Sequence, residues 1–358
     1  MIEKRFVHQF TQSEWIRAIG PALVPAANGD WLCAWVAGKL PDSDSQPGLS
    51  AVYRRSSDYG QTWSDLAVWF TTPDPDRCAH AHPNYVAPDG ALIGFGLTFD
   101  AMAGRMPRRR PVRLVSRDHG LTWDPPQPMH DRFGVVTRAG RVVLDNGDWL
   151  FAQHYLRPVG VPLGQLDFPE EIRQQRDASD WRWGVNVLIS TDQGQTYLPF
   201  GFHEEPPTIQ EPHAIQLRDG TVVLLCRVNR DGFLWRADSH DNGRTWTTPV
   251  RTDIPNPGSK VWLTRLADGR IALVHNPSST ARDPLHLWLS EDEMRTWPTR
   301  IHLDSWEEHA GAFTAREGAG KSTSLAYPHA LEHQGALHVV YDLGRRDIVH
   351  LLVDVASL

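Results

Sequence analysis

The sequence has few cysteines, no long apolar run and no excess of positive charge. Its 358 residues include only three cysteines, Cys33, Cys78 and Cys226, which cannot all pair, so a disulfide framework is not expected. No stretch approaches the length that spans a bilayer, and no apolar segment follows the basic start of the chain, so we expect a cytoplasmic protein without a membrane partner. The formal net charge of −7 argues against nucleic acid as a partner.

What the chain has instead is repeated turns. The pattern Ser-x-Asp-x-Gly-x-Thr-Trp, or a close variant, occurs five times, at 56–63, 116–123, 190–197, 239–246 and 290–297. The short Ser and Asp side chains can hydrogen-bond the turn backbone, the Gly supplies a positive φ, and the aromatic ring begins the next strand. In the last copy Met294 replaces the Gly. We call these segments the repeat turns and expect them to serve folding, not chemistry.

A second periodicity consists of a Gly-centred turn followed by an apolar strand. It occurs six times, around Gly29, Gly90, Gly147, Gly220, Gly269 and Gly335. Units that contain a Gly turn, and in five cases a repeat turn, are typical of four-stranded propeller blades. The sequence therefore predicts an all-β fold, a six-bladed β-propeller, as one domain over residues 1–358. We place the blades at residues 17–70, 78–128, 135–200, 208–250, 258–302 and from 323 to the end, with an N-terminal strand around 6–10 as the outer edge of the last blade.

Polar residues interrupt the apolar strands at positions that would line the central channel. Burying a charged or imidazole group without compensating partners costs several kcal/mol. Polar residues at these positions therefore indicate a binding site where the inner strands converge. The candidates are Arg17, His80, His82, His154, Tyr155, Glu211, His213, Arg227, Arg282, Tyr327 and His329. Cys78, His80 and His82 alternate along one strand but have no clear fourth ligand, so neither a metal nor another cofactor is expected.

The segments around several of these residues resemble the sialidase (neuraminidase) superfamily, specifically its bacterial Asp-box branch. The matching stretches are Ile209-Gln210-Glu211-Pro212, Leu224-Leu225-Cys226-Arg227, Asn256-Pro257-Gly258-Ser259, Asn276-Pro277-Ser278-Ser279 and Ala326-Tyr327-Pro328-His329. The resemblance implies a retaining exo-glycosidase that removes a terminal acidic sugar, sialic acid or a related keto-acid.

The same resemblance implies roles for individual residues. Tyr327 matches the nucleophile of the family and Glu211 matches the base that activates it. The general acid matches Asp44, with Asp42 as the near alternative. The three arginines that bind the substrate carboxylate match Arg17, Arg227 and Arg282, and guanidiniums suit this task because they bind carboxylates bidentately and stay charged.

The chain also departs from that family. Sialidases have Arg-Ile-Pro at the first arginine, where this chain has Arg17-Ala18-Ile19-Gly20-Pro21. It also has histidines near the expected site, of which we expect His82 and His213 to be catalytic and His154 and His329, with Tyr155, to bind substrate. Imidazole with an arginine partner suits proton abstraction α to a carboxylate.

Two alternative functions therefore remain beside the hydrolase. One is a propeller-type lyase or atypical glycosidase that acts on uronate-containing glycans through these histidines. The other is a propeller that binds acidic glycans without turnover. In each case the expected partner is an acidic oligosaccharide or glycoside. Two long insertions, at 102–111 with Arg108-Arg109-Arg110 and at 157–183, are expected to lie on the binding face.

Overall fold

The computed structural model of the protein describes residues 2–10, 14–39, 48–72, 77–100, 110–129, 135–136, 140–160, 181–309 and 323–358. The first strands along the chain are β1 (Ile2–His8), β2 (Arg17–Pro25), β3 (Trp31–Gly38), β4 (Ser50–Ser56), β5 (Ala67–Phe70), β6 (Arg77–Val86), β7 (Leu92–Asp100), β8 (Arg110–Ser116), β9 (Gln127–Pro128), β10 (Val135–Val136), β11 (Val142–Val143), β12 (Trp149–Pro158), β13 (Trp181–Ser190) and β14 (Leu198–His203). The remaining strands are β15 (Ile209–Gln216), β16 (Val222–Val228), β17 (Phe233–Ser239), β18 (Val250–Pro255), β19 (Trp262–Arg265), β20 (Ile271–His275), β21 (Leu285–Ser290), β22 (Thr299–Asp304), β23 (Leu325–His333), β24 (Ala336–Leu343) and β25 (Asp347–Asp354). A short 3-10 helix at Trp306–His309 follows β22.

These strands form six antiparallel sheets, so the predicted six-bladed β-propeller is confirmed. Blades one and two are β2–β5 and β6–β9, and blade three is β10 and β11 with β12–β14. Blades four and five are β15–β18 and β19–β22, and blade six is β23–β25 with β1 as its outer strand. The N-terminal strand thus takes the position that the sequence suggested. Contacts between neighbouring blades, such as β15 with β19, β19 with β23 and β23 with β2, link the inner strands around the channel.

The core of the protein lies between the blades. Every residue of β16 is buried because the strand is covered on both sides. Val222 and Leu224 pack with side chains of blade three, while Val223 and Leu225 pack with side chains of blade five. The second strand of a blade therefore has a continuous apolar sequence and not an alternating one.

Side-chain hydrogen bonds close the repeat turns. In the first of them, Asp58 accepts hydrogen bonds from the backbone N and the hydroxyl of Thr62, at 2.8 and 2.6 Å. Ser56 Oγ accepts one from the backbone N of Gly60 at 2.7 Å. In blade four the corresponding Ser239 pairs in register with the first residue of β16, at the opposite end of that strand from Arg227. The repeat turns therefore lie at the end of the propeller away from Arg227.

Met294 occupies the glycine position of the fifth repeat turn with a φ of 67°. At the equivalent Gly243, an added Cβ would lie 2.6 Å from Leu150 Cδ1 of the preceding blade. In blade four the residue corresponding to Leu150 is the smaller Val223, also the second residue of its strand. Met294 fills this space and packs in the same cluster as Val223 and Trp288.

We expect Met294→Gly to destabilise the protein by about 2 kcal/mol. The change relieves about 1 kcal/mol of left-handed backbone strain but loses the larger contribution of a buried side chain. The free energy of unfolding from chemical denaturation measures the effect. Gln193→Gly is the matched control, because Gln193 is exposed and has a similar φ of 56°, so only strain is relieved. Equal effects of the two changes would contradict the packing account.

Ion pairs help to fix the outer strand of blade six. Nζ of Lys4 in β1 lies 2.6 Å from the fully buried carboxylate of Asp304 at the end of β22. This ion pair joins blade six to blade five. Cys33, Cys78 and Cys226 are buried in β3, β6 and β16, which belong to three different blades. Within the described ranges, no helix has the length and apolar character needed to cross a membrane.

Candidate functional site

Three of the inner strands contain the same local irregularity. In β2, β15 and β23 the pairing with the next strand shifts at a residue that precedes proline, giving bulges at Gly20-Pro21, Glu211-Pro212 and Tyr327-Pro328. The pre-proline residues have positive φ values of 58°, 44° and 54°. For Glu211 and Tyr327 this conformation costs about 1–2 kcal/mol each. Strain that a fold retains at two converging side chains points to a functional site.

The bulges bring Tyr327 of blade six and Glu211 of blade four into contact. The Tyr327 hydroxyl donates a hydrogen bond to Glu211 Oε1 at 3.2 Å. Glu211 Oε2 forms an ion pair with Nε of Arg227 at 2.6 Å, and the two side chains are only 14% and 8% exposed. Burial by itself would lower the pKa of Arg227, but the charge of Glu211 and the Tyr327 hydroxyl outweigh it, so the pKa is raised.

The loop between blades four and five fixes two arginines beside this pair. Asn256 Oδ1 accepts hydrogen bonds from the backbone N of Gly258 and of Ser259, both at 2.9 Å. These bonds shape a turn in which Gly258 has a φ of 75°. The Gly258 carbonyl then accepts hydrogen bonds from Nη1 of Arg227 and, at 2.9 Å, from Nη2 of Arg282. One carbonyl thereby aligns guanidiniums from blades four and five.

Arg282 also lies against the tyrosine. Its Cζ is 5.5 Å from the centroid of the Tyr327 ring. We call the group formed by Glu211, Arg227, Arg282 and Tyr327 the mouth. A phenol in contact with a carboxylate base, with guanidiniums beside both, has the composition of an activated nucleophile next to an anion-binding site.

Two of the expected histidines lie directly after the bulges and form a layer around a tryptophan. The rings of His213 and His329 are 4.5 and 3.9 Å from the ring of Trp262. Nζ of Lys260 lies 4.7 Å from that ring and donates to the Pro328 carbonyl at 3.0 Å. Burial, reinforced by the Lys260 charge, lowers the pKa of His213 to about 3 and the pKa of His329 well below its usual value. Both imidazoles are therefore neutral near pH 7.

The other expected residues of blades two and three lie elsewhere in the ring. His82 is buried in β6 opposite Phe95. His154 is buried in β12, with its ring 5.6 Å from the ring of Trp183. Tyr155 was expected to bind substrate, but its side chain is fully buried and its hydroxyl donates to Glu204 at 3.1 Å. Because burial and the Glu204 charge raise the pKa of Tyr155, its phenol stays neutral and hydrogen-bonded to that carboxylate.

Arg17 begins β2 opposite Gly38 and is buried, three residues before the Gly20 bulge. Asp42 and Asp44, the candidates for the general acid, lie outside the described residues, and so does most of each long insertion. Arg108 and Arg109 are among them.

Residues that the sequence reasoning missed complete the surroundings of Arg227. Its Nη2 donates to Gln210 Oε1 at 2.9 Å, and its Nη1 donates to Asn229 Oδ1 at 2.8 Å. Arg345, in the turn between β24 and β25, places its Cζ 6.0 Å from the Tyr327 ring centroid. One signal for the bulges was present in the sequence: a proline follows Glu211 and Tyr327 in the inner strands of blades four and six, and Gly20 in that of blade one. No comparable pattern marks Arg345.

Comparisons with known proteins agree with this architecture. The family described as BNR repeat-like domain matches residues 29–339. A comparison with curated proteins finds no match. Among solved structures, the Hadza microbial sialidase Hz136 is 17% identical with a TM-score of 0.77, over 99% of this chain and 69% of that one. The NanB sialidase of Streptococcus pneumoniae is 13% identical with a TM-score of 0.70, over 99% and 71% of the two chains.

A further similar structure has nearly the same length. The intramolecular trans-sialidase of Ruminococcus gnavus is 11% identical with a TM-score of 0.69, over 99% of this chain and 97% of that one. At such identities the likeness establishes the fold, and the family match covers most of the sequence. The protein therefore belongs to the BNR repeat-like domain family, and its six-bladed propeller has the same fold as these sialidases.

Proposed function

We propose that the protein is a retaining exo-glycosidase of the sialidase type, which removes a terminal sugar that carries a carboxylate on its anomeric carbon. The observation that carries the proposal is the hydrogen bond from the strained Tyr327 to the equally strained Glu211. A neutral phenol suits this substrate, because the substrate carboxylate repels an anionic nucleophile. Sialidases with a tyrosine nucleophile are an exception to the usual pair of catalytic carboxylates.

The proposed reaction has two steps. In the first, Tyr327 Oη attacks the anomeric carbon while its proton passes to Glu211, and the glycosidic C–O bond breaks. The leaving oxygen takes a proton from a general acid, the role expected for Asp44 or Asp42. In the second step, that acid, now a base, accepts a proton from water as the water oxygen attacks the same carbon. Tyr327 leaves and regains its proton from Glu211, so the products are the free sugar and the alcohol.

The guanidiniums of the mouth supply the binding part of the site. Arg282 faces the ring of Tyr327, and Arg227 holds Glu211 in position for the phenol. Their positive charge opposes the overall charge of −7, so the mouth attracts an anion that the rest of the protein repels. The lyase alternative receives no such support from His213, because a base whose conjugate acid has a pKa of about 3 is poorly matched to a proton abstraction near pH 7.

Release of methylumbelliferone from a methylumbelliferyl sialoside tests the proposal, with Glu211→Gln as the variant. We expect kcat to fall about 10²-fold or more, because the amide keeps the shape of the side chain but cannot take the phenol proton. Glu291→Gln is the matched control, since Glu291 is exposed on the fifth repeat turn. Its kcat should equal that of the wild type.

Three other outcomes would contradict the proposal. Full activity of Glu211→Gln would remove the assigned base. An unsaturated uronide formed from a uronate glycan, with no sialoside cleavage, would indicate a lyase. Binding of acidic glycans without turnover of either substrate would indicate a binding protein.

A further inference from the structure

The hairpin that joins β24 to β25 has an arginine where its geometry favours glycine. Gly344 and Arg345 are the two central residues of this turn, with φ values of 61° and 57°, and the backbone N of Arg346 donates to the Leu343 carbonyl at 3.2 Å. Two positive φ values in succession define a type I′ turn, for which Asn-Gly is the common pair. A residue with a long side chain at the second position is conformationally unfavourable, and its retention calls for a reason outside the turn.

The turn is fixed to the strands on both sides. The backbone N of Gly344 donates to the Ser324 carbonyl at 2.7 Å, and the Arg345 carbonyl accepts from the backbone N of Ala18 in blade one at 3.0 Å. Through these contacts the turn lies beside the start of β2 and the start of β23. The Arg345 guanidinium then reaches the mouth, where its Cζ is 6.0 Å from the Tyr327 ring centroid. Its charge also opposes the protonation of Arg227, so the two guanidiniums interact electrostatically.

The donors of Arg227 are largely committed within the protein. Its Nη1 donates to Asn229 and to Gly258, its Nη2 donates to Gln210, and its Nε contacts Glu211. A guanidinium binds a carboxylate bidentately through two parallel N–H groups on one edge. Each edge of Arg227 already includes a donor engaged with a protein oxygen. Arg282, by contrast, donates one hydrogen bond among the described residues, to the Gly258 carbonyl.

We propose that Arg345 and Arg282 bind the carboxylate of the substrate, and that Arg227 acts as a positioning residue for Glu211. The inference rests on the proposed function of the mouth and names which residues recognise the anion. The two guanidiniums come from adjacent blades and lie 6.0 and 5.5 Å from the same phenol ring. A carboxylate held between them brings the attached anomeric carbon to the Tyr327 hydroxyl, and the additional positive charge favours an anionic ligand over a neutral one of the same shape.

The test compares a carboxylate ligand with its uncharged methyl ester. The probe is 2-deoxy-2,3-didehydro-N-acetylneuraminic acid, its neutral counterpart is the methyl ester, and calorimetry gives both dissociation constants. We expect the wild type to prefer the acid by about 100-fold. In Arg345→Asn this preference should fall about 10-fold or more, because a charged hydrogen-bonding partner is lost.

Arg345→Asn also separates recognition from folding. Asparagine tolerates positive φ better than arginine, so the midpoint of thermal unfolding should stay equal or rise while the acid preference falls. The ratio of the two affinities within one protein cancels any partial loss of folded material. Arg346→Asn is the matched control, because the neighbouring guanidinium lies over Phe10, with its Cζ 5.3 Å from that ring, and should leave the ratio unchanged.

The outcomes separate a failure of the role assigned to Arg345 from a failure of the proposed function. If the wild type prefers the acid and Arg345→Asn keeps that preference, Arg345 does not bind the carboxylate and the proposed function stands. If the wild type itself binds acid and ester equally, the mouth does not recognise a carboxylate, and both proposals are wrong.

Discussion

Replacing Tyr327 by phenylalanine should abolish sialoside cleavage while leaving ligand binding nearly unchanged. The expected fall in kcat is about 10³-fold or more, because Phe has no oxygen to form the glycosyl-enzyme bond. The ring keeps its size and its contact with the Arg282 guanidinium, which lies 5.5 Å away. The dissociation constant of the unsaturated sialic acid analogue should therefore change by only about 3-fold. Fluorescence of released methylumbelliferone gives kcat, and calorimetry gives the affinity.

A second tyrosine serves as the control for this change. Tyr59 is 40% exposed on the first repeat turn, at the end of the propeller away from the mouth. Tyr59→Phe removes the same hydroxyl group and should leave kcat unaltered. If Tyr327→Phe kept wild-type activity, the phenol would not be the nucleophile. Loss of both binding and activity would instead assign Tyr327 to ligand recognition.

Replacing Asp304 by asparagine should lower the free energy of unfolding by about 3 kcal/mol. The Asp304 carboxylate is fully buried between blades five and six, where it contacts the Tyr341 hydroxyl, Lys4 Nζ at 2.6 Å and His309 Nε2 at 2.8 Å. Asparagine keeps the size of the side chain but removes the negative charge and one acceptor oxygen. The ammonium of Lys4 then loses its buried partner, and the attachment of β1 to the ring is weakened. Urea or guanidinium denaturation measures the change.

The same carboxylate gives a pH dependence with a defined sign. Burial tends to raise the pKa of Asp304, but hydrogen bonds from His309, Lys4 and Tyr341 outweigh it and lower the pKa to about 2. The unfolded chain has the ordinary value of about 3.9. The stabilisation is therefore present above pH ~4 and is lost as the pH falls from ~4 to ~2.

In this window Asp304→Asn should lose stability less steeply with falling pH than the wild type. Asp253→Asn, a change at an exposed aspartate, is the control and should keep the wild-type slope. Equal slopes for all three proteins would show that the Asp304 ion pair does not contribute to acid sensitivity.

The sequence predicted the fold well because its signals are local. A repeat turn is closed by residues within eight positions of one another, as in the bonds of Thr62 and Gly60 to Asp58 and Ser56, so its pattern is visible without the rest of the chain. The number of blades follows from counting the six Gly-centred turns, whose pattern is equally local. The bulged inner strands were also marked in the sequence, since proline follows Glu211 and Tyr327.

The site was less predictable because its contacts join distant segments. Tyr155 and Tyr327 both lie in strands, and although a proline marks the bulge at Tyr327, no local signal shows that one phenol contacts Glu204 and the other Glu211. The histidines at 213 and 329 follow the bulge prolines directly, but only the packing around Trp262 reveals that they form a buried layer. Arg345 lies in a hairpin whose sequence does not show its neighbours, and its reach toward Tyr327 depends on how blade six meets blade one.

The pairing of β1 with β25 sets the order in which the molecule can be completed during synthesis. The first strand leaves the ribosome long before β25, its hydrogen-bonding partner, has been made. Tyr327 and Arg345 belong to that same final blade. Under the proposed function, a nascent chain that has folded only its first five blades lacks the proposed nucleophile, so we expect activity to arise only after β1 has paired with β25.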